Sequence, residues 1–204
     1  MQKINLFINH FQCGDLERQK ELDYCLNYNR DSGFFASIIN FSERPMYSDF
    51  FKKTSEYPND INVFANSDIY FNETIKNVQG MSQNECYALT RWELDGEEVV
   101  KFEEKHVYNK EAKARHSQDV WIFNGAVSGV YGDFHIGIAG CDNRIAHEIS
   151  RRYQISNPSN SIQCIHKHKE ESRNYNIPQG YNGRVSPPYK WVEVSQEEIK
   201  RKNI

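Results

Sequence analysis

The sequence predicts an α/β protein with an open, mixed but mainly parallel sheet that has helices on both faces. In the first third of the chain, apolar runs of strand length alternate with stretches whose apolar residues recur at helical spacing. The runs 34–42 and 61–71 are apolar enough to suit strands that are covered on both sides. The middle of the chain is richer in strand patterns, so we expect the sheet to become mixed there.

The first half alternates between strands and helices. In order, we expect a strand at 4–9, a helix after Gly14, a strand at 34–42, a short helix around Phe50, a strand at 61–71 and a brief helix from Asn72 to Gly80. Asparagine is a favoured residue before the first turn of a helix, and glycine is favoured just after the last turn.

The second half predicts more strands, one further helix and a tail. In order, we expect a strand at 85–93, a hairpin turn at Asp95-Gly96, a strand at 120–125, a helix after Asp142 and an edge-like strand at 161–168. Beyond Tyr175 the residues Pro, Gly, Asn and Tyr dominate. We therefore expect one domain at 1–176 and a tail, 177–204, that packs on the domain or extends from it.

Composition limits the classes of partner and the compartment. The 204 residues include 25 basic and 28 acidic side chains, so no broad positive field would attract nucleic acid or an anionic membrane. No apolar stretch approaches the length of a membrane span, and the N-terminus lacks a signal-peptide pattern. The five cysteines show no CxxC spacing, which indicates reduced thiols in a cytoplasmic protein.

Polar residues follow three of the predicted strands, and we expect them to meet in one cleft at the carboxyl edge of the sheet. These residues are Asn9-His10, Ser42-Glu43-Arg44 and Asn66-Ser67-Asp68. Asp68 follows a buried strand, where a charge needs compensation. Mg²⁺ or Mn²⁺ bridging to a diphosphate would compensate it. An aspartate in a turn that accepts local backbone amides is the alternative.

A second candidate cluster lies near the end of the domain. His166 and His168 point to one face of a strand because side chains two residues apart do so. This pair can bind a metal or donate to phosphate, although a solvated H-x-H explains the pattern equally well. Arg173 is placed to clamp phosphate oxygens with two N–H groups.

Two further carboxylates are candidates for catalysis. Asp142 stands where a helix begins, so it is either a general base in a cleft or an N-cap. Asp119 lies beside Trp121, which is either a platform for a sugar ring or a buried core residue.

In their order and spacing, several segments resemble the small nucleotide-sugar glycosyltransferases with a GT-A fold that occur in large DNA viruses and in bacterial surface-polysaccharide loci. The resemblance runs from about Asn9 to Tyr175. The segments that carry it are Arg18-Gln19-Lys20-Glu21, ANSDIYF, ALTRWE, SQDVWIF, GCDNRIAHE, SNPS, and H-x-H with R-N-Y.

The resemblance implies a role for individual residues. Asp68 stands at the last position of the metal-binding D-x-D motif, while Asn66 replaces its first carboxylate. Asp142 matches the acidic residue that begins the acceptor-side helix and serves as the base in inverting members. His166 or His168 matches the histidine that completes the metal or phosphate site.

The expected function is transfer of a sugar from a UDP-sugar or GDP-sugar to a hydroxyl of a glycan or other acceptor, in polysaccharide or glycoprotein glycan synthesis, with Mn²⁺ or Mg²⁺ as cofactor. Asp119 is a second catalytic candidate. The expected donor contacts are Phe11, Arg18, Arg44, Asn66, Ser67, Asp68 and Arg173. The expected sugar and acceptor contacts are Arg91, Trp121, Asn143 and Arg144. The alternatives are a metal-dependent phosphoesterase or nuclease using Asp68, His166 and His168, and a non-catalytic carbohydrate-binding domain.

Overall fold

The computed structural model describes residues 1–102, 117–167, 183–197 and 199, and these form two sheets with three α-helices and a 3₁₀ helix. The strands are β1 Ile4–Ile8, β2 Ser37–Asn40, β3 Ile61–Ala65, β4 Ile69–Phe71, β5 Glu85–Leu89, β6 Trp92–Asp95, β7 Glu98–Lys101, β8 Val120–Asn124, β9 Gln154–Ser156 and β10 Cys164–His166. The helices are α1 Leu16–Asp31, α2 Tyr47–Thr54 and α3 Cys141–Ser150, with the 3₁₀ helix at Glu73–Val78.

The larger sheet has six strands in the order β2-β1-β3-β8-β5-β9. β2, β1 and β3 run parallel, β8 is antiparallel to both of its neighbours, and β9 is parallel to β5. The prediction of an α/β protein with a mixed sheet is therefore confirmed. Because β8 runs in the opposite direction, it begins at the edge of the sheet where β3 and β5 end.

Side chains alternate between the two faces of this sheet, and helices cover both faces. On β3, Phe64 belongs to an aromatic core that includes residues of α2 and α3. Val63 belongs to the core on the opposite face, against which Leu26 of α1 packs. Alternation of buried residues along a strand is what a sheet covered on both faces requires.

A smaller sheet has the order β4-β10-β6-β7 and was not predicted from the sequence. The predicted strand 61–71 divides into β3 and β4, because the chain turns at Asn66 and the amide of Ile69 bonds the Asn66 carbonyl at 3.2 Å. The predicted strand 85–93 likewise divides into β5 and β6. β10 is not an edge strand as predicted, since it lies between β4 and β6.

β2 also differs from its prediction. It is shorter than the apolar run 34–42, and it forms the edge of the larger sheet with its residues only partly buried or exposed. The run is apolar because Phe34 and Phe35 in a loop and Ile38 in the edge strand pack against the core. Its composition therefore does not require a central strand.

Helix α1 is fixed to the smaller sheet by Asn29, which is 1% exposed. Its side-chain amide donates to the carbonyl of Ile69 at 2.9 Å, and its side-chain oxygen accepts from the amide of Phe71 at 3.1 Å. At the other end, the carboxylate of Asp15 caps the helix by accepting the amides of Glu17 and Arg18. These bonds determine where Arg18 lies relative to the turn before β4.

Helix α3 begins at Cys141 with Gly140 as its N-cap, so the interpretation of Asp142 as a cap is wrong. Gly140 has φ of 81°, and a Cβ there would lie 3.1 Å from the hydroxyl of Tyr189 and 3.2 Å from the carbonyl of Val185. Both the conformation and the close approach require glycine. Asp142 is the second residue of the helix and is free to serve another purpose.

The segment 183–197 packs against the aromatic core that covers one face of the larger sheet. Val185 and Val192 are buried in the aromatic core, and the amide of Ser195 bonds the carbonyl of Asn157. The expected boundary between domain and tail, at 176, falls outside the described residues.

The five cysteines are free thiols, and four of them are buried. None of the helices that the structure describes has the length and apolar composition that crossing a lipid bilayer requires.

Candidate functional site

The ends of three neighbouring strands meet, as the sequence predicts. The side-chain amide of Asn9, just after β1, donates to the carbonyls of Phe41 and Glu43 at 2.8 Å each, beyond β2. The carbonyl of Asn9 accepts the hydroxyl of Ser67, beyond β3. Hydrogen bonds thus join the carboxyl ends of β1, β2 and β3, which is where ligands bind in open α/β sheets.

Asp68 lies in the turn between β3 and β4 and has two cationic partners on one oxygen. Its Oδ2 is 2.5 Å from Nη2 of Arg18 and 3.1 Å from Nε2 of His166. Burial disfavours the charged carboxylate, but His166 and Arg18 outweigh that effect and hold the pKa of Asp68 well below its usual range. Asp68 therefore carries a negative charge at every physiological pH.

His166 lies between two carboxylates. Its Nε2 faces Asp68, and its Nδ1 is 3.0 Å from Oε2 of Glu93, which is its directly opposed residue across the β10–β6 pair. Burial lowers the pKa of His166, but Asp68 and Glu93 more than offset this and raise it to about 9. The pKa of Glu93 is lowered to about 2, because His166 and Arg91 outweigh its burial. The imidazole is thus a cation at neutral pH.

Arg91 extends the network to Asp119 and is 8% exposed. Its Nε is 2.6 Å from Oε1 of Glu93, and its Nη1 is 3.2 Å from Oδ2 of Asp119. The carboxylate of Asp119 also accepts hydrogen bonds from the side-chain amide of Asn66 at 2.9 Å and from the hydroxyl of Ser117 at 3.2 Å. With an arginine and two further donors on its oxygens, Asp119 is better suited to hold Arg91 and Asn66 than to accept a proton from a substrate.

Asp142, in the first turn of α3, is a carboxylate of a different kind. Its Oδ1 lies 3.4 Å from the hydroxyl of Tyr47 and 3.3 Å from Sγ of Cys141. Burial, together with the nearby charge of Asp119, raises the pKa of Asp142 to about 7. A carboxylate that titrates near neutral pH is suited to general acid-base catalysis.

The ion pairs of this site join seven charged residues from distant parts of the chain. The sequence predicted five of these seven as site residues. Those five are Arg18, Asp68, Arg91, Asp119 and His166. Glu93 was missed, although it lies two residues after Arg91 in the segment ALTRWE. Glu21, which bonds Arg18 at 2.9 Å, was also missed.

Two further predicted residues, Phe11 and Arg44, come shortly after the ends of β1 and β2, and a third, Asn143, lies in the first turn of α3. Phe11 follows β1 and is 43% exposed. Arg44 is partly buried, and its carbonyl lies 3.2 Å from Nδ1 of His135. The carbonyl of Asn143 accepts the amide of Lys190. His168 and Arg173 lie outside the described residues.

Two predicted sugar contacts have other roles in this structure. Trp121 is 2% exposed and packs in the aromatic core, so it presents no face for a sugar ring. Arg144 donates to Glu148 at 2.9 Å and to the carbonyls of Ser186 and Pro187 at 3.1 and 3.0 Å. Its guanidinium therefore fastens the C-terminal segment to α3.

Asp68 and His166 are the predicted metal ligands that the structure describes, and they fit an ion as a partial set. Their 3.1 Å separation is a direct hydrogen bond, and Arg18 contacts the same carboxylate oxygen, so an ion held by both side chains would have to displace the His166 proton. Within the described residues, no group of three or more histidine, cysteine, aspartate or glutamate side chains is arranged to hold a metal. A site with one or two protein ligands is usual where substrate phosphates and waters complete the coordination.

An open depression with a volume of about 520 Å³ lies along the C-terminal half of α1, and none of the network residues lines it. It is formed by Tyr24, Asn27, Tyr28, Asp31, Ser32 and Phe34. The ion-paired residues with shifted pKa values, which are typical of functional sites, lie at the sheet edge instead.

The chain matches no protein-family model, no curated protein and no solved structure.

Proposed function

We propose that the protein is a nucleotide-sugar-dependent glycosyltransferase with a GT-A-like fold. The observation that carries this proposal is a pair of aspartates whose environments shift their pKa values in opposite directions. Asp68 is kept ionised beside two cations, while the pKa of Asp142 is raised to about 7. Opposite pKa shifts of this kind suit one carboxylate to electrostatic stabilisation and the other to proton transfer.

The Asp68 side of the site suits a diphosphate leaving group. Arg18 is a guanidinium at the carboxyl edge of the sheet, the residue type that binds phosphate oxygens through several N–H groups, while both N–H groups of protonated His166 donate to Asp68 and Glu93. Mn²⁺ or Mg²⁺ held by Asp68, and by His166 once it has lost its proton, would stabilise the negative charge of the departing diphosphate. Asn66 and Ser67 lie in the same turn, and exposed Phe11 is available to stack on the base.

The Asp142 side suits the acceptor. In the proposed reaction the Asp142 carboxylate takes the proton of an acceptor hydroxyl as that oxygen attacks the anomeric carbon, and the bond to the diphosphate breaks. Because such a base deprotonates the acceptor hydroxyl as it attacks, direct displacement with inversion is the stereochemistry that we propose. The acceptor is a glycan or another hydroxyl compound, and the five free thiols support a cytoplasmic location.

Thermal shift assays with nucleotides test the donor side. We expect UDP or GDP with Mn²⁺ to raise the melting temperature more than the same nucleotide with EDTA, because a ligand of the native state stabilises it by mass action. Asp68→Asn should remove the metal-dependent part of the shift, whereas Asp31→Asn, an exposed aspartate on α1, should not.

Transfer of radiolabelled sugar from a panel of UDP-sugars and GDP-sugars, with Mn²⁺ present, tests the reaction. Failure of every nucleotide diphosphate to stabilise the protein would remove the proposal. Nucleotide-independent stabilisation by glycans would indicate a carbohydrate-binding domain. Hydrolysis of phosphodiesters that depends on Asp68 would indicate a phosphoesterase.

A further inference from the structure

A buried hydroxyl lies beside the proposed base. Tyr47, the first residue of α2, is 1% exposed, and its Oη is 3.4 Å from Oδ1 of Asp142. Sγ of Cys141 is 3.8 Å away.

Aromatic packing fixes the ring of Tyr47. Its centroid lies 5.9 Å from that of Phe64 and 6.4 Å from that of Trp121, both in edge-to-face geometry, and 5.4 Å from that of Phe134. A ring enclosed in this way cannot move its hydroxyl oxygen away from Asp142 without opening the core. The position of the oxygen beside Asp142 is therefore a fixed property of the fold.

The hydroxyl proton of Tyr47 has two acceptors in reach, Oδ1 of Asp142 at 3.4 Å and Sγ of Cys141 at 3.8 Å, and the carboxylate is the stronger acceptor. Burial raises the pKa of the Tyr47 hydroxyl well above its usual value, so it keeps its proton. Tyr47 is thus a donor to Asp142 and not a competing base.

We propose that Tyr47, held by the aromatic side chains around its ring, is a positioning residue that orients the carboxylate of Asp142 for proton transfer. This inference rests on the proposed transferase function. Both contacts that the structure describes for this carboxylate, from Tyr47 and Cys141, fall on Oδ1. The orientation leaves Oδ2 as the oxygen that receives the proton of the acceptor hydroxyl.

Charged and titratable groups from several elements surround Asp142. Asp119, just before β8, raises its pKa, whereas Arg91, between β5 and β6, lowers it. Hydrogen bonds from Cys141 on α3 and from Tyr47 on α2 also lower it. Removing the hydroxyl of Tyr47 should therefore raise the pKa of Asp142 further, while Asp119 and Arg91 stay in place.

The test is Tyr47→Phe, which keeps the ring and removes the hydroxyl. Carbon-13 NMR of aspartate carboxyl groups, with the Asp142 signal assigned by its loss in Asp142→Asn, should show the pKa of Asp142 rising by roughly half to one unit. Tyr153→Phe is the matched control, because its hydroxyl accepts the amide of Ser128 elsewhere in the molecule, and it should leave the Asp142 signal unchanged. An unchanged Asp142 pKa in folded Tyr47→Phe would overturn the proposal.

A second measurement uses the wild-type protein, so it does not depend on the folding of a variant. The Cζ signal of Tyr47 should titrate with the pKa of Asp142, and Asp142→Asn should abolish this titration; a flat Cζ signal in the wild type overturns the proposal. Where transfer is measurable, Tyr47→Phe should lower kcat about 3–10-fold with little change in the donor KM, and should move the acidic limb of the pH profile upward. Absence of transfer in the wild type would remove the proposed function, while the NMR result still decides the contact.

Discussion

Arg18 and Asp68 form an ion pair with Nη2 2.5 Å from Oδ2, although 50 residues separate them in the chain. The pair joins the first turn of α1 to the turn between β3 and β4. Both side chains are largely buried, at 22% and 14% exposure. Loss of one partner would therefore leave a poorly solvated charge, which costs more than the loss of a surface ion pair. Under the proposed function, we therefore expect nucleotide binding and folding to depend on the same contact.

Arg18→Gln should lower the free energy of unfolding by about 2 kcal/mol, because it leaves Asp68 with His166 alone in a partly buried site. It should also weaken UDP or GDP binding by about tenfold or more. Urea unfolding and isothermal titration calorimetry measure the two effects. Arg30→Gln, an exposed arginine on the same helix, is the control and should change neither. Equal losses in the two variants would contradict the assignment of Arg18.

His166→Gln should change the pH dependence of stability. The pKa of His166 is raised to about 9, so its stabilising contribution is complete below the unfolded value of about 6.5 and is lost as pH rises through 9. We expect the metal-free wild type to lose about 2 kcal/mol of unfolding free energy between pH 6 and pH 9 that the variant does not lose. Urea unfolding with EDTA present measures this, and parallel pH profiles would show that His166 is not held protonated.

Asp142→Asn should abolish transfer while nucleotide affinity is preserved. Loss of a general base costs on the order of a hundredfold or more in rate. The pKa of Asp142 is raised to about 7, so the native carboxyl favours its protonated form, and its contribution to stability is lost as pH rises from about 4 through 7. The neutral variant should therefore melt a few degrees higher than the wild type at pH 8, and this difference should vanish toward pH 4.

Asp133→Asn, an exposed aspartate in the loop before α3, is the control for Asp142. It should leave both activity and the pH dependence unchanged. Near-normal transfer by Asp142→Asn would show that Asp142 is not the base and would leave Asp119 as the other candidate.

Gly140→Ala should destabilise the fold and loosen the C-terminal segment. Its φ of 81° strains any residue with a Cβ, and that Cβ would press on the Tyr189 hydroxyl and the Val185 carbonyl. We expect a loss of about 1–3 kcal/mol together with faster proteolysis of the segment. Gly33→Ala also has positive φ but lies in open space, so it measures the backbone strain alone. Equal losses would show that the contact with Tyr189 contributes nothing.

Local patterns were enough to predict most elements. The spacing of Phe50 and Phe51 predicted α2, and Asp95-Gly96 predicted the β6–β7 hairpin. The placement of strands in two sheets was not predictable, because β10 pairs with β6 and β4, whose residues lie 73 positions and 93 to 97 positions earlier in the chain. The role of Glu93 follows from that pairing, so it was missed for the same reason.

The candidate site shows a similar division. A carboxylate after an apolar strand marked Asp68, and this signal is local. The burial of Trp121 could not be predicted from its sequence neighbours, because an indole beside an aspartate is compatible with both a core and a binding cleft. Tyr47 gave no signal, because its hydroxyl meets Asp142 only after α2 and α3 pack on the same face of the sheet.

Val185 and Val192 place part of the C-terminal segment inside the aromatic core, and this has a practical consequence for expression. A shortened protein that stops at 176, where the composition changes, would uncover that apolar surface and would remove the partners of Arg144 at Ser186 and Pro187. We expect such a fragment to accumulate in inclusion bodies. Limited digestion of the whole chain should spare this segment in the native state, so an affinity tag is better joined to the exposed Met1 than used to replace the C-terminal residues.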